Sequence, residues 1–499
     1  MYIKDYYSLL DGASLIDCAA EGVSDSNDVI DALEYHTSLV RANTLFICKG
    51  KEFKQQYVEA AVKSGATLIV SQYKYDFFGV PYIIVTDVRK AMALLAQYHY
   101  AEPQKKLYSV GITGTKGKTT AAYCYKTIVD EYNAYNSKMP TAIFSSVCNY
   151  YGGELEESHL TTPESPDLYK YMAHAVGCGI EDLVMEASSQ GLKYNRLDGV
   201  EFDVGVFLNI AEDHISPLEH SDFNDYFSAK KRIAQISRVL VVNKDAPEHR
   251  EVQKNFRGEI YTFSTQDDNA DYYGYHITSE RFGTSFWVKS KGFNRKFTIA
   301  MKGDFNVSNA ISAIAAADIK GVPSHIIERG LAKAHVDGRM DWVSSKDSRI
   351  NAVIDFAHNK LSFETLFDYL KKEYPEKDIV VVFGCSGAKA YDRRKVLPEI
   401  SARYCSHMFI TTMNTGPESF DQITAEIVQN IPEGAAYTVI EDRATAIRTA
   451  LERFGESSII VVAGRGRKKT HRTATGYEPY ISDYDCVLEY VNEYDERKK

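Results

Sequence analysis

LYSVGITGTKGKTT, residues 107–120, is the stretch that decides the fold of this chain. Its apolar start, up to Ile112, predicts a buried strand, and the AAYCYKTIV that follows Thr120 has the apolar spacing of a helix. A glycine loop between a strand and a helix is a setting in which backbone N–H groups and the helix N-terminus bind phosphate. The stretch therefore predicts a site for a nucleoside triphosphate.

The loop departs from the usual phosphate-loop pattern, which places a glycine five residues before Gly117. That position is Ile112, and glycines stand instead at positions 111 and 114. Lys118 is spaced to reach the outer phosphates, and the hydroxyl of Thr119 is spaced to bind Mg²⁺. A glycine turn with a chance lysine is the alternative, and the strand–loop–helix context disfavours it.

Composition limits the classes of function. A chain of 499 residues is long enough for roughly three domains, and its net charge of −10 argues against nucleic acid as the main partner. The eight cysteines show no metal-ligand spacing, which favours reduced thiols in a cytoplasmic protein. The N-terminus is too charged for a signal peptide, and no apolar run approaches the roughly 18–20 residues that span a membrane. We expect a cytoplasmic protein without a membrane partner.

Apolar strands alternate with helical stretches along three units, 1–103, 104–334 and 335–499, which predicts an α/β fold. In the first unit, strands are predicted at 44–48, 66–70 and 81–85. In the second, parallel strands are predicted at 182–188, 203–209 and 238–243, an antiparallel insertion near 258–302, and a helix at 305–319 with Asn309 on its polar side. In the third, strands are predicted at 350–357, 379–387, 407–413 and 458–466.

Polar residues follow the strands of the second unit, where open α/β sheets bind ligands. Glu186 ends one strand, and Asp213-His214 follows the next. Alone, each would be read as a cap or turn residue, but beside a triphosphate loop both sites favour Mg²⁺ binding. Arg339, between the second and third units, is placed to stabilise phosphoryl charge; a surface salt bridge is the alternative. Lys230 lies in a helical stretch and cannot be told from Lys231 by pattern.

Several ordered motifs resemble the Mur ligase family, specifically the MurE type that adds the third amino acid of the peptidoglycan stem peptide. They are GTKGKTT and the segments 160–169, 185–220, 225–233, 303–310, 336–341, 355–360 and 381–387. The variants SSQ, DHISPLEH and DFAHN are most similar to the L-lysine-adding enzymes of Gram-positive bacteria. In that family the altered phosphate loop is normal.

The resemblance implies a three-domain architecture: a uridine-nucleotide domain (1–103), a central parallel-sheet ATPase domain with a P-loop (104–334) and a Rossmann-like domain for the amino acid (335–499). It implies a monomer whose partners are UDP-MurNAc-L-Ala-D-Glu and a free amino acid. ATP would phosphorylate the D-glutamyl carboxylate, and the amine would then attack the acyl phosphate. L-lysine is the amino acid that the resemblance itself implies.

The resemblance also implies site residues. The ATP site would comprise Gly114, Thr115, Lys116, Gly117, Lys118, Thr119, Thr120, Asn306, Asn309, Arg339, Asp355 and His358. The metal sites would comprise Thr119, Glu186, His214 and a carbamylated Lys230, the last three acting with Lys118 in catalysis. The muramyl substrate would meet Thr37, Thr161, Thr162, Ser188 and Arg196, and the amino acid would meet Asn414, Gly464 and Lys468.

Three motifs depart from the family pattern. His36-Thr37-Ser38 stands where the family carries Asp-Ser-Arg, and Met413–Gly416 stands in place of the lysine-recognition motif Asp-Asp-Pro-Asn. The segment Gly464–Lys468 lacks the family's acid and gains Arg467 and Lys468. An ammonium in a partly dry pocket needs a carboxylate partner. We therefore hypothesise a pocket for a neutral or acidic amino acid, unless acids elsewhere replace the missing ones.

Two alternatives remain at this point. A ligase similar to folylpolyglutamate synthetase would share the loop chemistry, but that family begins nearly at its loop. A non-catalytic homologue that binds UDP-muramyl nucleotide would explain the altered amino-acid motifs. Its weakness is that a binder has no need of Lys118, Glu186, His214 and Lys230 together.

Overall fold

Three β-sheets, each flanked by helices, follow one another along the chain in a computed structural model that describes residues 1–50, 53–153, 155–213, 215, 219–280 and 283–498. The predicted α/β class is confirmed. The boundaries predicted after residues 103 and 334 fall between the sheets and stay predictions. The eight cysteines are free thiols. No helix of the described residues is long and apolar enough to cross a membrane.

The first sheet consists of β1 (Ile16–Ala19), β2 (Ala32–Glu34), β3 (Thr44–Cys48), β4 (Ala66–Ser71) and β5 (Tyr82–Val85). Its order is β1-β5-β4-β3-β2, with β1 antiparallel to β5. The helices beside it are α1 (Ile3–Gly12), α2 (Gln55–Lys63) and α3 (Val88–His99). The three strands predicted here are confirmed. The short β1 and β2 have too few apolar residues to predict.

The central sheet consists of β6 (Tyr108–Thr113), β7 (Ala142–Phe144), β8 (Cys148–Tyr150), β9 (Glu156–Glu157), β10 (Asp182–Glu186), β11 (Phe202–Phe207), β12 (Ser237–Asn243), β13 (Glu259–Ser264), β14 (Tyr272–Glu280), β15 (Gly283–Lys289) and β16 (Asn294–Ile299). Its order is β16-β15-β14-β13-β12-β11-β6-β10-β7-β8-β9. The insertion predicted as antiparallel is only partly so: β13 runs parallel to β12 and β14, and β14 to β16 are antiparallel.

Helices cover both faces of the central sheet. They are α4 (Lys118–Tyr135), α5 (Ser165–Gly177), α6 (Ser189–Lys193), α7 (Phe223–Gln235), α8 (His249–Gln253), α9 (Asp304–Ile319) and α10 (Ser324–Leu331). One apolar cluster joins α4, α9 and α10 to the sheet, and a second joins α5 and α7 to its other face. The prediction that Asn309 lies on a polar side of its helix is wrong, because α9 is buried on nearly every side and Asn309 with it.

The third sheet consists of β17 (Asp341–Ser344), β18 (Asn351–Asp355), β19 (Asp378–Phe383), β20 (His407–Ile410), β21 (Tyr437–Val439) and β22 (Ser458–Ala463), in the order β17-β18-β22-β19-β20-β21. All neighbours are parallel except β17 and β18. Its helices are α11 (Lys360–Glu373), α12 (Arg393–Tyr404), α13 (Phe420–Val428), α14 (Arg443–Phe454) and α15 (Asp483–Arg497). A hairpin of β23 (Thr470–Arg472) and β24 (Tyr477–Pro479) follows β22.

Candidate active site

The glycine loop follows β6, which lies between β10 and β11 in the middle of the central sheet. Both neighbours are parallel to β6, so the carboxyl ends of three strands meet at the loop. Such a point is where α/β sheets bind ligands. Glu186 ends β10, and Asp213 follows β11. The predicted convergence of these two acids on the loop is confirmed, whereas His214 lies outside the described residues.

Gly117 is the residue from which α4 starts, with a φ of 84° that favours glycine. A Cβ on Gly117 would lie 2.1 Å from the side-chain oxygen of Asn309. The loop and α9 therefore approach each other as closely as a bare backbone permits. This contact explains why a glycine stands directly before Lys118.

Two lysines converge on the loop. The ammonium of Lys118 and that of Lys230 each donate a hydrogen bond to the carbonyl oxygen of Gly114, at 2.8 Å. Lys230 is only 1% exposed, and burial, reinforced by the nearby charge of Lys118, holds its pKa well below the usual value. Lys231 instead lies half-buried over the ring of Phe227. The structure thus separates two lysines that the sequence left equivalent.

An oxygen cluster begins at the first turn of α4. The hydroxyl of Thr119 donates to the carboxylate of Glu186 at 2.9 Å, and the backbone N–H of Ser146 donates to the same oxygen at 2.8 Å. Arg339 reaches across from the third unit and donates to the Thr119 hydroxyl at 3.3 Å. A hydroxyl and a carboxylate beside a phosphate loop are donors that suit Mg²⁺.

Arg339 does not form the surface salt bridge considered as its alternative. Its guanidinium lies over the ring of Phe356, 5.0 Å from the centroid, and pairs with no carboxylate of the described residues. Asp355, at the end of β18, accepts from the backbone N–H groups of Met340 at 2.8 Å and Ala357 at 2.7 Å. The Asp355 carboxylate thereby fixes the segment that carries Arg339.

Asp213 joins the central and third units. Its carboxylate lies 3.8 Å from the ammonium of Lys116 and accepts from the guanidinium of Arg393 at 3.0 Å and from the amide of Asn359. Burial lowers the pKa of Lys116 to about 7, although Asp213 opposes this shift. One carboxylate thus connects the phosphate loop to α11 and α12.

A cavity of about 280 Å³ lies between the loop and the third unit. Of the predicted ATP-site residues, its lining contains Lys116, Gly117, Thr119, Thr120, Asn306, Asn309, Arg339 and Asp355. Gly114, Thr115, Lys118 and His358, also predicted for the ATP site, do not belong to the lining of this cavity. The Thr115 hydroxyl accepts from the backbone of Ala211 at 3.0 Å and so anchors the loop, and the half-buried His358 is hydrogen-bonded through Nδ1 to the carbonyl of Phe356.

A larger cavity of about 650 Å³ opens on the other side of Arg339, at the seam between the second and third units. Trp342 and Tyr374 line it, with ring centroids 5.3 Å apart. Lys302 donates to the Tyr374 hydroxyl at 3.1 Å and lies 5.6 Å from the Trp342 ring centroid. An aromatic pair and a lysine therefore meet where the two units adjoin.

Three of the residues predicted to meet the muramyl substrate form one network beside Glu186. The hydroxyl of Thr162 donates to the carbonyl of Glu186 at 2.7 Å and accepts from the backbone N–H of Ser188 at 3.0 Å. Arg196 donates to the carbonyl of Thr162 at 3.0 Å. Thr161 is the half-buried residue directly before them. These residues adjoin the metal-type donors, as the prediction requires.

Sequence reasoning missed Glu164 at the centre of this region. Its carboxylate pairs with Arg196 at 2.9 Å, Lys49 at 3.0 Å and Arg89 at 3.6 Å, the last two from the first unit. Burial would raise the pKa of Glu164, but its three cations hold it below the usual value. No local sequence pattern could have predicted that Glu164 pairs with residues from three distant segments, although Glu164 itself lies in the recognised motif at 160–169.

Thr37 lies in a short 3-10 turn, Thr37–Leu39, in the first unit. It is half-buried. The hydroxyl of Tyr35 donates to the carboxylate of Asp167 at 2.5 Å, and Lys49 lies over its ring at 4.5 Å. Tyr35 thus joins the first unit to α5, and Lys49 pairs with Glu164 directly before that helix.

Asn414 and Gly464 follow the carboxyl ends of β20 and β22, whereas the ammonium of Lys468 donates to the carbonyl of Ser158 in the central unit at 3.4 Å. Arg465 links the two segments, donating to the side-chain oxygen of Asn414 at 3.3 Å. Contrary to the prediction, Arg467 does not face the predicted amino-acid site. Its guanidinium pairs with Asp341 at 2.7 Å and Asp337 at 3.0 Å, and so it faces the edge of the sheet at β17.

Two family models match the chain. "Mur ligase middle domain" matches residues 112–317, and "Mur ligase, glutamate ligase domain" matches residues 338–466. The first range includes the phosphate loop, Glu186 and Lys230, and the second includes Arg339, Asp355 and Asn414. The two ranges together therefore cover both sides of the cavity.

Curated relatives match nearly the whole chain. The UDP-N-acetylmuramoyl-L-alanyl-D-glutamate–L-lysine ligase of Enterococcus faecalis is 36% identical over 472 residues, covering 93% of this chain and 92% of the relative. The UDP-N-acetylmuramyl-tripeptide synthetase of Lactobacillus acidophilus is 34% identical, with coverage of 93% and 92%.

Solved structures share the fold over a similar extent. A UDP-N-acetylmuramoyl-L-alanyl-D-glutamate–2,6-diaminopimelate ligase superposes with a TM-score of 0.65 at 23% identity and covers 100% of this chain and 99% of its own. The MurF ligase of Thermotoga maritima, solved with ADP, has a TM-score of 0.62 at 16% identity, with coverage of 94% and 98%.

Proposed function

This chain belongs to the Mur ligase family, and on that premise we propose that it adds the third amino acid to UDP-MurNAc-L-Ala-D-Glu. It is an ATP-dependent ligase of peptidoglycan precursor synthesis. The curated relatives, at 34% and 36% identity, are named for that step. None of these names supports the non-catalytic alternative.

One observation carries the proposal: the residues that would bind triphosphate and those that would bind the muramyl dipeptide meet at Glu186. Its carboxylate accepts from Thr119 in the phosphate loop, and its backbone carbonyl accepts from Thr162. A carboxyl group held near Thr162 would therefore lie close to the γ-phosphate. Close approach of two bound reactants is a large part of the rate acceleration of such transfers.

The reaction needs two transfers, because an amine does not attack a carboxylate directly. An oxygen of the D-glutamyl carboxylate bonds to the γ-phosphorus while the bond to the ADP oxygen breaks. The amine nitrogen then bonds to the acyl carbon, phosphate leaves with the bonding electrons, and the amine releases a proton. Lys118, at the start of α4, and Arg339, from the third unit, would stabilise the phosphoryl charge.

Thr119 and Glu186 would hold Mg²⁺, which when bound would neutralise charge on the phosphates. We further propose that Lys230 is carbamylated. Its low pKa favours the neutral amine, which is the form that adds CO₂ and releases a proton. The carbamate would replace a buried cation beside Lys118 with an oxygen donor for metal. His214 would complete the metal ligands.

We propose roles for the other predicted site residues from their positions in the structure. Asn306 and Asn309 would lie near adenine, with Asp355 at the same cavity. Ser188, Thr161, Thr162 and Arg196 would bind the dipeptide, and Thr37 would bind the uridine end.

A turnover assay tests the proposal. Purified protein with ATP, Mg²⁺, UDP-MurNAc-L-Ala-D-Glu and a mixture of amino acids should release phosphate. It should release none when the muramyl nucleotide or the amino acids are omitted. Binding of the nucleotide by calorimetry without phosphate release under any condition would contradict the proposal and favour a non-catalytic binder.

A further inference from the structure

Arg465 is a buried cation without a carboxylate partner among the described residues. It is 2% exposed, donates to the carbonyl of Thr470 at 2.8 Å and to the side chain of Asn414 at 3.3 Å, and its buried Nε–H has no acceptor. Burial, together with the neighbouring charge of Arg443, lowers its pKa to about 10. A guanidinium in this state would favour an anionic or strongly accepting ligand.

Two acids near Arg465, Asp483 and Glu418, already have cationic partners. Arg443 holds Asp483 through two hydrogen bonds of 2.7 and 2.9 Å. Arg394 holds Glu418, whose other oxygen accepts from Tyr391 at 3.1 Å. Neither carboxylate is left to neutralise an ammonium group entering the pocket.

Further cations surround Arg465. Lys468 donates to the carbonyl of Ser158 at 3.4 Å, and burial together with the charges of Lys389, Arg465 and Arg339 lowers its pKa, although Glu157 opposes this shift. The guanidinium carbon of Arg472 lies 3.7 Å from where a Cβ on Gly416 would be. Cations therefore outnumber acids here, and Glu157 is an exposed carboxylate that accepts from Thr470 at 3.1 Å.

Lys468 faces the central unit, because it donates to the carbonyl of Ser158 in that unit. The charge of Arg339, which contacts Thr119 in the loop, contributes to lowering the pKa of Lys468. An amino acid bound beside Lys468 would therefore lie against the unit that carries the phosphate loop. One of the three cations Arg465, Lys468 and Arg472 is enough to bind the α-carboxylate of this amino acid. The other two remain to contact its side chain.

Resting on the proposed function, we propose that the pocket selects an amino acid whose side chain ends in an oxygen acceptor, namely a carboxylate, carboxamide or hydroxyl. A side chain that ends in a cation is repelled by Arg465, Lys468 and Arg472, and Asp483 and Glu418 are already paired with arginines. This selectivity differs from that of the Enterococcus faecalis relative, which is named as an L-lysine ligase. Repulsion of the wrong side chain is a common source of specificity.

The test measures kcat/KM of phosphate release for individual amino acids, with ATP and UDP-MurNAc-L-Ala-D-Glu at saturation. We expect glutamate, glutamine, aspartate, asparagine or serine to give the highest value, at least about tenfold above lysine and ornithine. The highest value with lysine, ornithine or diaminopimelate would overturn the inference while leaving the ligase function intact. An equal value with alanine would also overturn it. Turnover with no amino acid would overturn both.

A pair of adjacent variants tests the role of charge. Lys468→Gln should reduce the ratio of kcat/KM for the preferred amino acid to kcat/KM for lysine about tenfold. Raising the salt concentration should reduce the same ratio in the wild-type protein. Lys469→Gln is the matched control, since that side chain is 75% exposed and lies 3.6 Å from Asp485. Should Lys468→Gln fail to fold, Arg472→Gln serves the same purpose. An unchanged preference in the folded variant contradicts the inference.

Discussion

Lys118 and Lys230 share one acceptor, the carbonyl oxygen of Gly114, at 2.8 Å each. Loss of contact with water lowers the pKa of both ammonium groups; the charge of Arg339 adds to the shift of Lys118, and the charge of Lys118 adds to that of Lys230. Lys230, on α7, is the more strongly affected. A neutral amine in contact with the phosphate loop is a reactive group, and its reactivity can be tested.

Replacing Lys230 should strongly reduce turnover, whereas replacing its neighbour Lys231 should not. We expect Lys230→Met to lower kcat by about 100-fold or more, because an oxygen donor near the transferring phosphoryl group is lost. Lys231→Met, half-buried beside Phe227, should stay within about twofold of wild type. Labelled bicarbonate should give a ¹³C carbamate signal in wild type and not in Lys230→Met. A carbamate signal that persists in Lys230→Met would refute the assignment.

Gly117→Ala should weaken ATP binding. The added Cβ would lie 2.1 Å from the Asn309 oxygen, at a backbone φ of 84° that disfavours alanine. We expect the Kd for ATP, measured by calorimetry, to rise about tenfold or more. Gly292→Ala is the control, because nothing lies within 4 Å of its Cβ. Equal ATP affinity in the two variants would show that the loop moves away from α9 freely.

Glu164→Gln should destabilise the protein, because it leaves Lys49, Arg89 and Arg196 without their shared carboxylate. A loss of about 3–5 kcal/mol is expected for breaking such a buried network. Urea unfolding followed by circular dichroism measures it. Glu201→Gln, in an exposed pair with Arg238, should cost less than about 1 kcal/mol. Similar losses in the two variants would contradict the role of the network.

The same carboxylate should make stability depend on pH. The folded pKa of Glu164 lies below its ordinary value of 4.5, so its contribution is complete above that pH. It should be lost as pH falls below 4.5 through the folded pKa. The difference in unfolding free energy between wild type and Glu164→Gln should therefore shrink on acidification. A difference that grows below pH 4.5 would contradict this sign.

Arg393→Gln should impair the approach of the third unit to the phosphate loop. The substitution removes the 3.0 Å contact with Asp213 and leaves that carboxylate with Lys116 and Asn359. We expect KM for ATP to rise about tenfold, measured by steady-state phosphate release. Arg403→Gln, on the same helix but 60% exposed, should leave KM unchanged. A raised KM in both variants would indicate a general effect on α12.

The strand–loop–helix at residues 107–120 could be predicted because its signal is local, and the polar residues at neighbouring strand ends followed from sheet geometry. Lys230 and Lys231 differ only in burial, which depends on how α7 packs. The direction of Arg467, toward Asp341, is set by a segment more than a hundred residues away. The three ion pairs of Glu164 join residues from two units, so no local sequence pattern predicts them.

The cavity beside Arg339, between the second and third units, contains an intrinsic fluorophore, Trp342. The chain has two tryptophans, and Trp342 lines that cavity while Trp287 is 37% exposed on β15. Any change in the spacing of Trp342, Tyr374 and Lys302 would alter the emission of Trp342. A Trp287→Phe protein would thus report any change in the relative position of the two units in real time, with no attached dye.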